Sequence, residues 1–348
     1  MHHLPWRFHT VTNHLTAPVN EPPTIAITGA GSIGVAFAIA FSTVGYSVNI
    51  HDPDATARAR AAEEIRCRLT DLSEHGLLKD DPDLIRSRIC FFADISICLD
   101  GAEMAVECAP EDVNIKRAIF ASLDSISPPN VILASASSAL PITRFTSDLP
   151  GRNRCLILHP GNPPYLLPVV EIVPAAYTND QVVLRAEELL RKAGLKPVRV
   201  AKEVEGFVFN RLQGALLREA YCLVRDGVAT VSDIDTVVRD GLGLRWSVIG
   251  PFETVDLNTR GGISSHAQKM GPAYARMGEE RGQNDPWTDD LVAKVNAQRR
   301  EVLPLNLWEE RVAWRDRALM KLVAQRRADS KSPTTQPEGR SRSDLGSL

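Results

Sequence analysis

Short runs of β-branched and other apolar residues recur along the first part of the chain, and helical stretches separate them. Residues 55–78 predict a long polar helix, and residues 179–193 predict an amphipathic helix. Alternating strands and helices are typical of βαβ units, so the pattern predicts an α/β fold with a Rossmann-type, doubly wound, mostly parallel sheet. The predicted strands are residues 24–28, 47–51, 88–94, 104–107, 131–134, 155–158, 169–173 and 195–201.

The pattern changes from about residue 202, where strand-like runs cease. Residues 203–227 predict one long helix, and helical spacing continues after it, so the sheet is followed by an all-α C-terminal domain. A chain of 348 residues also exceeds what one core usually supports. The predicted divisions are a disordered extension at 1–23, a Rossmann-type domain at 24–201, a helical domain at 202–328 and a disordered tail at 329–348.

The composition, 44% hydrophobic and 24% charged, is ordinary for a globular protein. A formal net charge of −3 disfavours nucleic acid and anionic membrane surfaces, and no apolar run reaches the roughly 20 residues that span a bilayer. Six scattered cysteines without a CxxC pair predict buried free thiols in a reducing compartment and no metal site. The N-terminus lacks a secretory apolar segment, which favours the cytoplasm over the alternative of an organellar transit peptide.

A glycine-rich turn, GAGSIG, follows the first predicted strand and opens an apolar helix. Gly29 permits the tight turn, Gly31 lets the backbone approach a pyrophosphate, and Gly34 lets the helix pack on the sheet. Asp52 ends the next strand, where a carboxylate binds the adenine-ribose diol and repels a 2′-phosphate. The turn therefore predicts a dinucleotide site that prefers NAD to NADP. Its predicted residues are Gly29, Gly31, Ser32, Ile33, Gly34 and Asp52.

Two further loops follow predicted strands, at the edge of the sheet where doubly wound proteins bind ligands. In the first, Glu107 and Glu111 are functional candidates, although Glu111 and Asp112 also suit the N-cap of the next helix, which carries Lys116. The second, residues 135–139, is called the serine loop here. It supplies hydroxyl groups, among them that of Ser138, for a substrate oxygen or a nicotinamide amide. The alternative is that these serines cap the helix that follows.

Residues 156–174 place His159 and Glu171 on two strand-like runs around a Pro-rich turn that also contains Asn162. Two strands joined by a tight connection bring the imidazole and the carboxylate side by side. Histidine ordinarily titrates near neutral pH, and a glutamate fixes its tautomer and stabilises its charged form. The stretch therefore predicts a general acid/base pair.

Two polar residues of the helical region are candidates for the substrate side of the site. Asn210 lies on the apolar flank of the long predicted helix, so it either lines a pocket or bonds a neighbouring loop. Arg245 lies in an irregular apolar segment and is suited to a bidentate grip on a carboxylate. A surface salt bridge is the alternative for Arg245.

Five blocks in order, GAGSIG, ECAPED, the serine loop before LPIT, HPGNPPYLLPVVEIVP and EGFVFNRLQ, resemble the 3-hydroxyacyl-CoA dehydrogenase superfamily. The resemblance covers residues 24–326. Within the superfamily, LGLRWSVIGPFET and the last two blocks resemble the lambda-crystallin branch, known as L-gulonate 3-dehydrogenase, more than the acyl-CoA branch. Ala136 and Glu205 depart from the acyl-CoA pattern, which usually has Asn and Pro there.

The resemblance implies a role for each matched residue. His159 is implied as the catalytic base and Glu171 as its partner, while Ser138 and Asn210 contact the substrate. The glycine turn and Asp52 are implied to bind NAD, with Glu111 and Lys116 on the cofactor side. The helical domain is implied to bind substrate and to form a homodimer.

Three functions follow from these patterns. The first is NAD-dependent oxidation of the 3-hydroxyl of a small free 3-hydroxy acid, most of all L-gulonate, for which Asn162 and Arg245 are added to the substrate residues. The second is a 3-hydroxyacyl-CoA dehydrogenase acting on a substrate such as 3-hydroxybutyryl-CoA. The third is a catalytically silent, NAD-binding structural protein of the crystallin kind, against which the pair of His159 and Glu171 argues.

Overall fold

All eight predicted strands are present in the computed structural model, with bounds that shift by a few residues at most. The structure describes residues 22–282 and 288–311, together with Trp314 and Gln325. The predicted N-terminal extension up to residue 21 and the predicted tail at 329–348 lie outside the described residues. The strands are β1 (Thr24–Thr28), β2 (Ser47–His51), β3 (Ile89–Phe92), β4 (Ala102–Glu107), β5 (Ile132–Ser135), β6 (Cys155–Pro160), β7 (Val169–Pro174) and β8 (Lys196–Arg199).

The strands form one sheet in the order β3-β2-β1-β4-β5-β6-β7-β8. Every neighbouring pair is parallel except β6 and β7, which pair antiparallel, so β7 and β8 run against the other six strands. The prediction of a mostly parallel sheet is confirmed. The hairpin of β6 and β7 is the element that the predicted acid/base pair required.

Helices cover both faces of this sheet, as a doubly wound fold requires. Ile25 and Ile27 of β1 pack into one buried cluster with residues such as Phe37 and Ile65, whereas Ala26 packs into a second cluster with Phe120. Alternate residues of a strand point to opposite faces, so one strand serves both clusters. The helices up to β8 are α1 (Ser32–Ser42), α2 (Ala55–Glu74), α3 (Pro82–Ser87), α4 (Ile95–Cys98), α5 (Val113–Ile126), α6 (Thr143–Thr146) and α7 (Asp180–Lys192).

Two predicted helices have wrong bounds because left-handed residues interrupt the helical backbone. The helix predicted over 55–78 ends at Glu74, shortly before Gly76, which has a φ of 66°. The helix predicted over 203–227 begins only at Phe209, because Gly206 and Phe207 have φ values of 75° and 50°, and it ends at Arg225, shortly before Gly227 with a φ of 67°. A right-handed helix cannot contain residues in that conformation.

After β8 the described residues contain helices and no further strand, which confirms the all-α region after the sheet. The chain divides into two compact units between Arg218 and Glu219, inside the helix that begins at Phe209. The domain boundary between residues 201 and 202 stays a prediction. These helices are α8 (Phe209–Arg225), α9 (Val231–Thr236), α10 (Gly243–Trp246), α11 (Pro251–Asn258), α12 (Gly262–Glu280) and α13 (Asp289–Val302), with a π-helical turn at Val237–Leu242.

The state of the cysteines, the helix lengths and the possible metal ligands can be compared with the predictions from composition. All six cysteines are free, but only Cys98 and Cys155 are fully buried, and Cys67 is exposed. Among the described residues no helix is long and apolar enough to cross a bilayer. Neither do the described histidine, cysteine and acidic side chains form a cluster that would hold a metal ion.

Candidate active site

The predicted site residues of the first unit gather where parallel strands of the sheet end. Thr28 at the end of β1 lies beside Glu107 of β4, and Glu107 lies beside Ser135 of β5. The glycine turn, the loop that contains Glu111 and the serine loop therefore leave the sheet at the same edge, and β6 continues to His159. This is the edge at which open α/β sheets bind their ligands.

The glycine turn has the backbone geometry that dinucleotide binding needs. Gly29 has a φ of 111°, and a Cβ on Gly34 would lie 2.1 Å from the carbonyl oxygen of Gly29, so only glycine fits there. By contrast, nothing lies within 4 Å of a Cβ placed on Gly31. Asp52 ties the turn to β2, since its Oδ2 accepts a hydrogen bond from the Ala30 amide at 3.0 Å.

A pocket of about 750 Å³ opens between the glycine turn and Asp52. Two buried polar atoms of its wall, Thr28 Oγ1 and His51 Nδ1, have no hydrogen-bond partner among the described residues. Burial lowers the pKa of His51, although Asp52 opposes the shift, so His51 tends to be neutral. The glycine cradle, the carboxylate and the unpartnered polar atoms together fit an NAD molecule. Of the predicted cofactor residues, the pocket wall includes Gly29, Gly31, Ser32, Ile33 and Asp52.

His159 and Glu171 form the predicted pair. They are direct partners across β6 and β7, and His159 Nδ1 lies 2.7 Å from Glu171 Oε2. Both side chains are buried, at 7% and 1% exposure. A carboxylate beside Nδ1 holds a proton on that nitrogen and leaves Nε2 with a free lone pair. Nε2 can therefore accept a proton from a bound molecule.

The second oxygen of Glu171 is held by the backbone at the start of α8. Its Oε1 accepts hydrogen bonds from the amides of Val208 at 2.8 Å and Phe209 at 3.0 Å. The left-handed residues Gly206 and Phe207 turn these two amides toward the carboxylate. Burial raises the pKa of Glu171, but the hydrogen bonds from His159 and from the two amides outweigh it and hold this pKa below its usual value.

Aromatic rings flank the imidazole of His159. Its ring centroid lies 5.6 Å from that of the buried Phe207 and 6.1 Å from that of Phe209. Of the contacts to the imidazole, Glu171 is the one that carries a negative charge, so it compensates the charge of the imidazolium when one forms.

The Glu111 carboxylate lies against the serine loop and not at the start of α5. Glu111 Oε1 accepts hydrogen bonds from the Ser137 hydroxyl at 2.5 Å and from the amides of Ser138 and Ala139 at 3.1 Å each. Asp112 alone caps α5, by accepting from two amides of its first turn. The helix-capping alternative therefore holds for Asp112 and is wrong for Glu111.

Lys116 forms a buried ion pair with Glu107 beside this loop. Its Nζ is 3.0 Å from both carboxylate oxygens of Glu107, and both side chains are at most 1% exposed. The same ammonium lies 3.4 Å from Glu111 Oε2, while Ser135 Oγ donates to Glu107 Oε2 at 2.5 Å. Lys116 thus links Glu107 to Glu111, and neither it nor Glu111 lines the 750 Å³ pocket.

Asn210 contacts the serine loop from the first turn of α8. Its Nδ2 donates to the main-chain carbonyl of Ser138 at 2.8 Å. Of the two alternatives for this asparagine, the bond to a neighbouring loop is the one observed. Within the part of the chain that the structure describes, the hydroxyl of Ser138 makes no hydrogen bond, so it remains available to a ligand. The serines do not cap α6, which lacks a side-chain cap.

Two predicted substrate residues lie outside this cluster of contacts. Asn162 is exposed in the loop after β6 and precedes a cis peptide bond to Pro163. Arg245 lies in α10, in the second unit, and is half-buried. It makes no ion pair within the described ranges, so the salt-bridge alternative finds no support.

Sequence reasoning missed three parts of the site: the serine-loop contact of Glu111, the ion pair of Lys116 with Glu107, and the left-handed step before α8. The Glu111 contact joins residues that are 26 positions apart, and a carboxylate there also suits a helix cap. The pair of Lys116 and Glu107 joins a strand to the next helix across nine positions, and no sequence pattern marks it. The third had a signal in Gly206, because a glycine just before an apolar helix often marks a left-handed residue.

Comparison with known proteins assigns both parts of the chain to one group. The family model "3-hydroxyacyl-CoA dehydrogenase, NAD binding domain" matches residues 24–204. The model "3-hydroxyacyl-CoA dehydrogenase, C-terminal domain" matches residues 206–303. The two matches adjoin near the left-handed residues that precede α8.

Individual relatives extend this similarity over most of the chain. Lambda-crystallin of Oryctolagus cuniculus is 36% identical over 87% of this chain and 96% of its own length. A 3-hydroxyacyl-CoA dehydrogenase of Gibberella moniliformis is 34% identical over 90% of this chain and 98% of its own. The crystal structure of 3-hydroxybutyryl-CoA dehydrogenase from Escherichia coli is 29% identical with a TM-score of 0.60, over 72% of this chain and 53% of that one.

Proposed function

Because this chain belongs to the 3-hydroxyacyl-CoA dehydrogenase family, we propose that it oxidises the 3-hydroxyl group of a small free 3-hydroxy acid, L-gulonate, to 3-dehydro-L-gulonate. The members of this family are NAD-dependent oxidoreductases, and this chain is one of them. The observation that carries the choice of substrate is the 36% identity to lambda-crystallin across nearly all of that protein. That branch is also the one that the motif around His159 and Glu171 resembles.

The chain's own residues supply the proton chemistry of this proposal. NAD, when bound, provides the acceptor for the hydride that leaves C3. His159 Nε2 takes the proton of the 3-hydroxyl while the C3–O bond becomes a carbonyl, and Glu171 stabilises the imidazolium that forms. The proposed role of the Ser138 hydroxyl is to bind the substrate oxygen and restrict the reaction to one orientation. Arg245 is the proposed partner of the substrate carboxylate, and Asn162 is a further proposed substrate contact.

The test compares NAD reduction with L-gulonate and with 3-hydroxybutyryl-CoA at matched concentrations. We expect a higher kcat/KM for L-gulonate, and a fall in kcat of about 10²- to 10⁴-fold in His159→Ala with NADH binding retained. Turnover of this variant at the wild-type rate would remove His159 as the base.

A 3-hydroxyacyl-CoA dehydrogenase is the second candidate, favoured by the relative from Gibberella moniliformis, which is matched over 98% of its length. The chemistry at His159 would be the same, because only the group attached beyond the 3-hydroxyl differs. A higher kcat/KM for 3-hydroxybutyryl-CoA in the same assay would select this candidate over L-gulonate.

A homodimer is part of the proposal, and α8 supports it. The helix contains no buried residue, although apolar residues recur on it at helical spacing. Phe209, Leu212 and Leu216 share one face of it and are 38%, 63% and 36% exposed. Apolar faces of this kind usually contact another chain. Light scattering of the purified protein should give twice the mass of the 38.2 kDa chain, and a monomeric mass would reject the dimer.

The cellular location and the domain boundary also remain proposals. Six free thiols support the cytoplasm, where disulfides are rare. A boundary near residues 201 and 202 is supported by the family matches, which meet between residues 204 and 206. Limited proteolysis, with cleavage near this boundary, tests it.

A further inference from the structure

Glu111 is bound to the serine loop far more extensively than a cofactor-side role requires. Its Oε1 accepts from the Ser137 hydroxyl and from three consecutive amides, those of Ser138, Ala139 and Leu140, at 3.1, 3.1 and 3.3 Å. A carboxylate oxygen has about two lone-pair sites, so this oxygen has no acceptor capacity left for a ligand.

The second carboxylate oxygen of Glu111, Oε2, faces a buried ion pair. Its Oε2 lies 3.4 Å from the Lys116 ammonium, which Glu107 holds at 3.0 Å in a buried ion pair. Although burial raises the pKa of Glu111, the hydrogen bond from Ser137 and the charge of Lys116 lower it overall, so the carboxylate stays ionised. An ionised carboxylate accepts stronger hydrogen bonds than a neutral one.

The serine loop is also held through the main-chain carbonyl of Ser138. While Glu111 accepts from the amide of Ser138, Asn210 donates to its carbonyl at 2.8 Å. Both main-chain groups of Ser138 are therefore fixed, and only its hydroxyl remains free to meet a substrate. Ser137, at 1% exposure, closes the loop by accepting from the Leu140 amide at 2.9 Å.

We propose that Glu111 is a positioning residue that sets the orientation of Ser138 toward the substrate by anchoring the loop from Ser137 to Leu140. Lys116 and Glu107 hold Glu111 in place for this purpose. The inference rests on the proposed function only for the reaction that Ser138 serves. The anchoring itself is a property of the loop and can be measured without any substrate.

The first experiment measures hydrogen exchange of the loop amides in the full-length chain by mass spectrometry. In Glu111→Ala, exchange across residues 138–140 should accelerate roughly tenfold, the change expected for losing one hydrogen bond to a charged group. Glu111→Gln keeps an acceptor oxygen and should restore part of the protection. Asp112→Ala is the matched control, because it removes the neighbouring carboxylate, which caps α5 and does not touch the loop.

The second experiment separates positioning from cofactor binding. With the 3-hydroxy acid or CoA ester that the wild type oxidises best, Glu111→Ala should lose roughly 100-fold in kcat, the cost of a small misplacement. The kinetics are run at saturating NAD, so that any loss of cofactor affinity through Glu111 Oε2 does not lower the measured kcat, and the Kd for NADH is measured separately by fluorescence. Glu111→Gln should recover part of the kcat.

The outcomes distinguish loop anchoring from cofactor binding as the role of Glu111. Unchanged loop exchange in Glu111→Ala, or a large rise in the Kd for NADH with kcat intact, would overturn the anchoring role. If the wild type oxidises no 3-hydroxy acid or CoA ester, the proposed function fails, but the exchange experiment still decides whether Glu111 anchors the loop.

Discussion

Glu171 binds His159 Nδ1 with one carboxylate oxygen and two backbone amides at the start of α8 with the other. The β6–β7 hairpin sets the first contact, since the two residues are paired in register. The left-handed residues Gly206 and Phe207 set the second. The carboxylate is therefore fixed from both sides, which leaves His159 with one available tautomer.

Replacing Glu171 by Gln should inactivate the enzyme without unfolding it. The amide of Gln can donate to Nδ1, which favours the tautomer that carries its proton on Nε2 and cannot act as a base. We expect kcat to fall by about 10²- to 10⁴-fold, measured by NADH absorbance. Glu188→Gln on the exposed side of α7 is the control, and equal activity of the two variants would contradict the tautomer argument.

The lowered pKa of Glu171 predicts how this residue affects stability in acid. A carboxyl group whose folded-state pKa lies below its ordinary 4.5 stabilises the fold above that value and loses this contribution as the pH falls through the folded-state pKa. The Tm difference between wild type and Glu171→Gln should thus be constant near neutrality and should shrink below about pH 4.5. A difference that grows on acidification would mean that the pKa is raised instead.

Two glycines of the cofactor turn should respond to alanine in opposite ways. Gly34→Ala places a Cβ 2.1 Å from the Gly29 carbonyl oxygen, so we expect a loss of about 1–3 kcal/mol of stability. Gly31→Ala meets nothing within 4 Å and has a φ of −83°, so Tm should not change. Its NADH affinity should nevertheless fall, because the added methyl group occupies the approach to the pyrophosphate. Titration of NADH fluorescence beside thermal melts checks both, and unaltered NADH binding in Gly31→Ala would place the pyrophosphate elsewhere.

The extent to which the site was predictable depends on the range of the interactions. The pairing of His159 with Glu171 was predictable, because strand periodicity and a short connection determine which residues meet. The target of Glu111 was not, since its partners near Ser137 follow a different strand and a carboxylate before a helix looks equally like a cap. The left-handed Phe207 was not predictable either, because phenylalanine rarely adopts that conformation, and the contacts that stabilise it here come from Glu171 and from a core that is distant in sequence.

Gly206→Ala tests the left-handed step before α8. Its added Cβ would come no closer than 3.5 Å to another atom, so the cost is the conformational one at a φ of 75°, about 1–2 kcal/mol. A backbone that relaxes here moves the amides of Val208 and Phe209 away from Glu171, and kcat should fall at least about tenfold. Gly101→Ala has a similar φ of 67° and open space around it, so it should cost similar stability and leave kcat intact. Equal kcat in the two variants would separate the left-handed step from catalysis.

The buried pair of Lys116 and Glu107 predicts a large asymmetry between single and double replacement. Lys116→Met leaves the Glu107 carboxylate buried and without its cation, which should cost about 3–5 kcal/mol in urea unfolding. Combining it with Glu107→Gln removes the stranded charge and should recover much of that loss, because uncharged groups of similar size are cheaper to bury. Lys192→Met is the control, since its pair with Glu188 is exposed and should not measurably change Tm. If the double variant were as unstable as Lys116→Met alone, the stranded charge could not be the cause, and the loss would have to come from the packing of the lysine side chain.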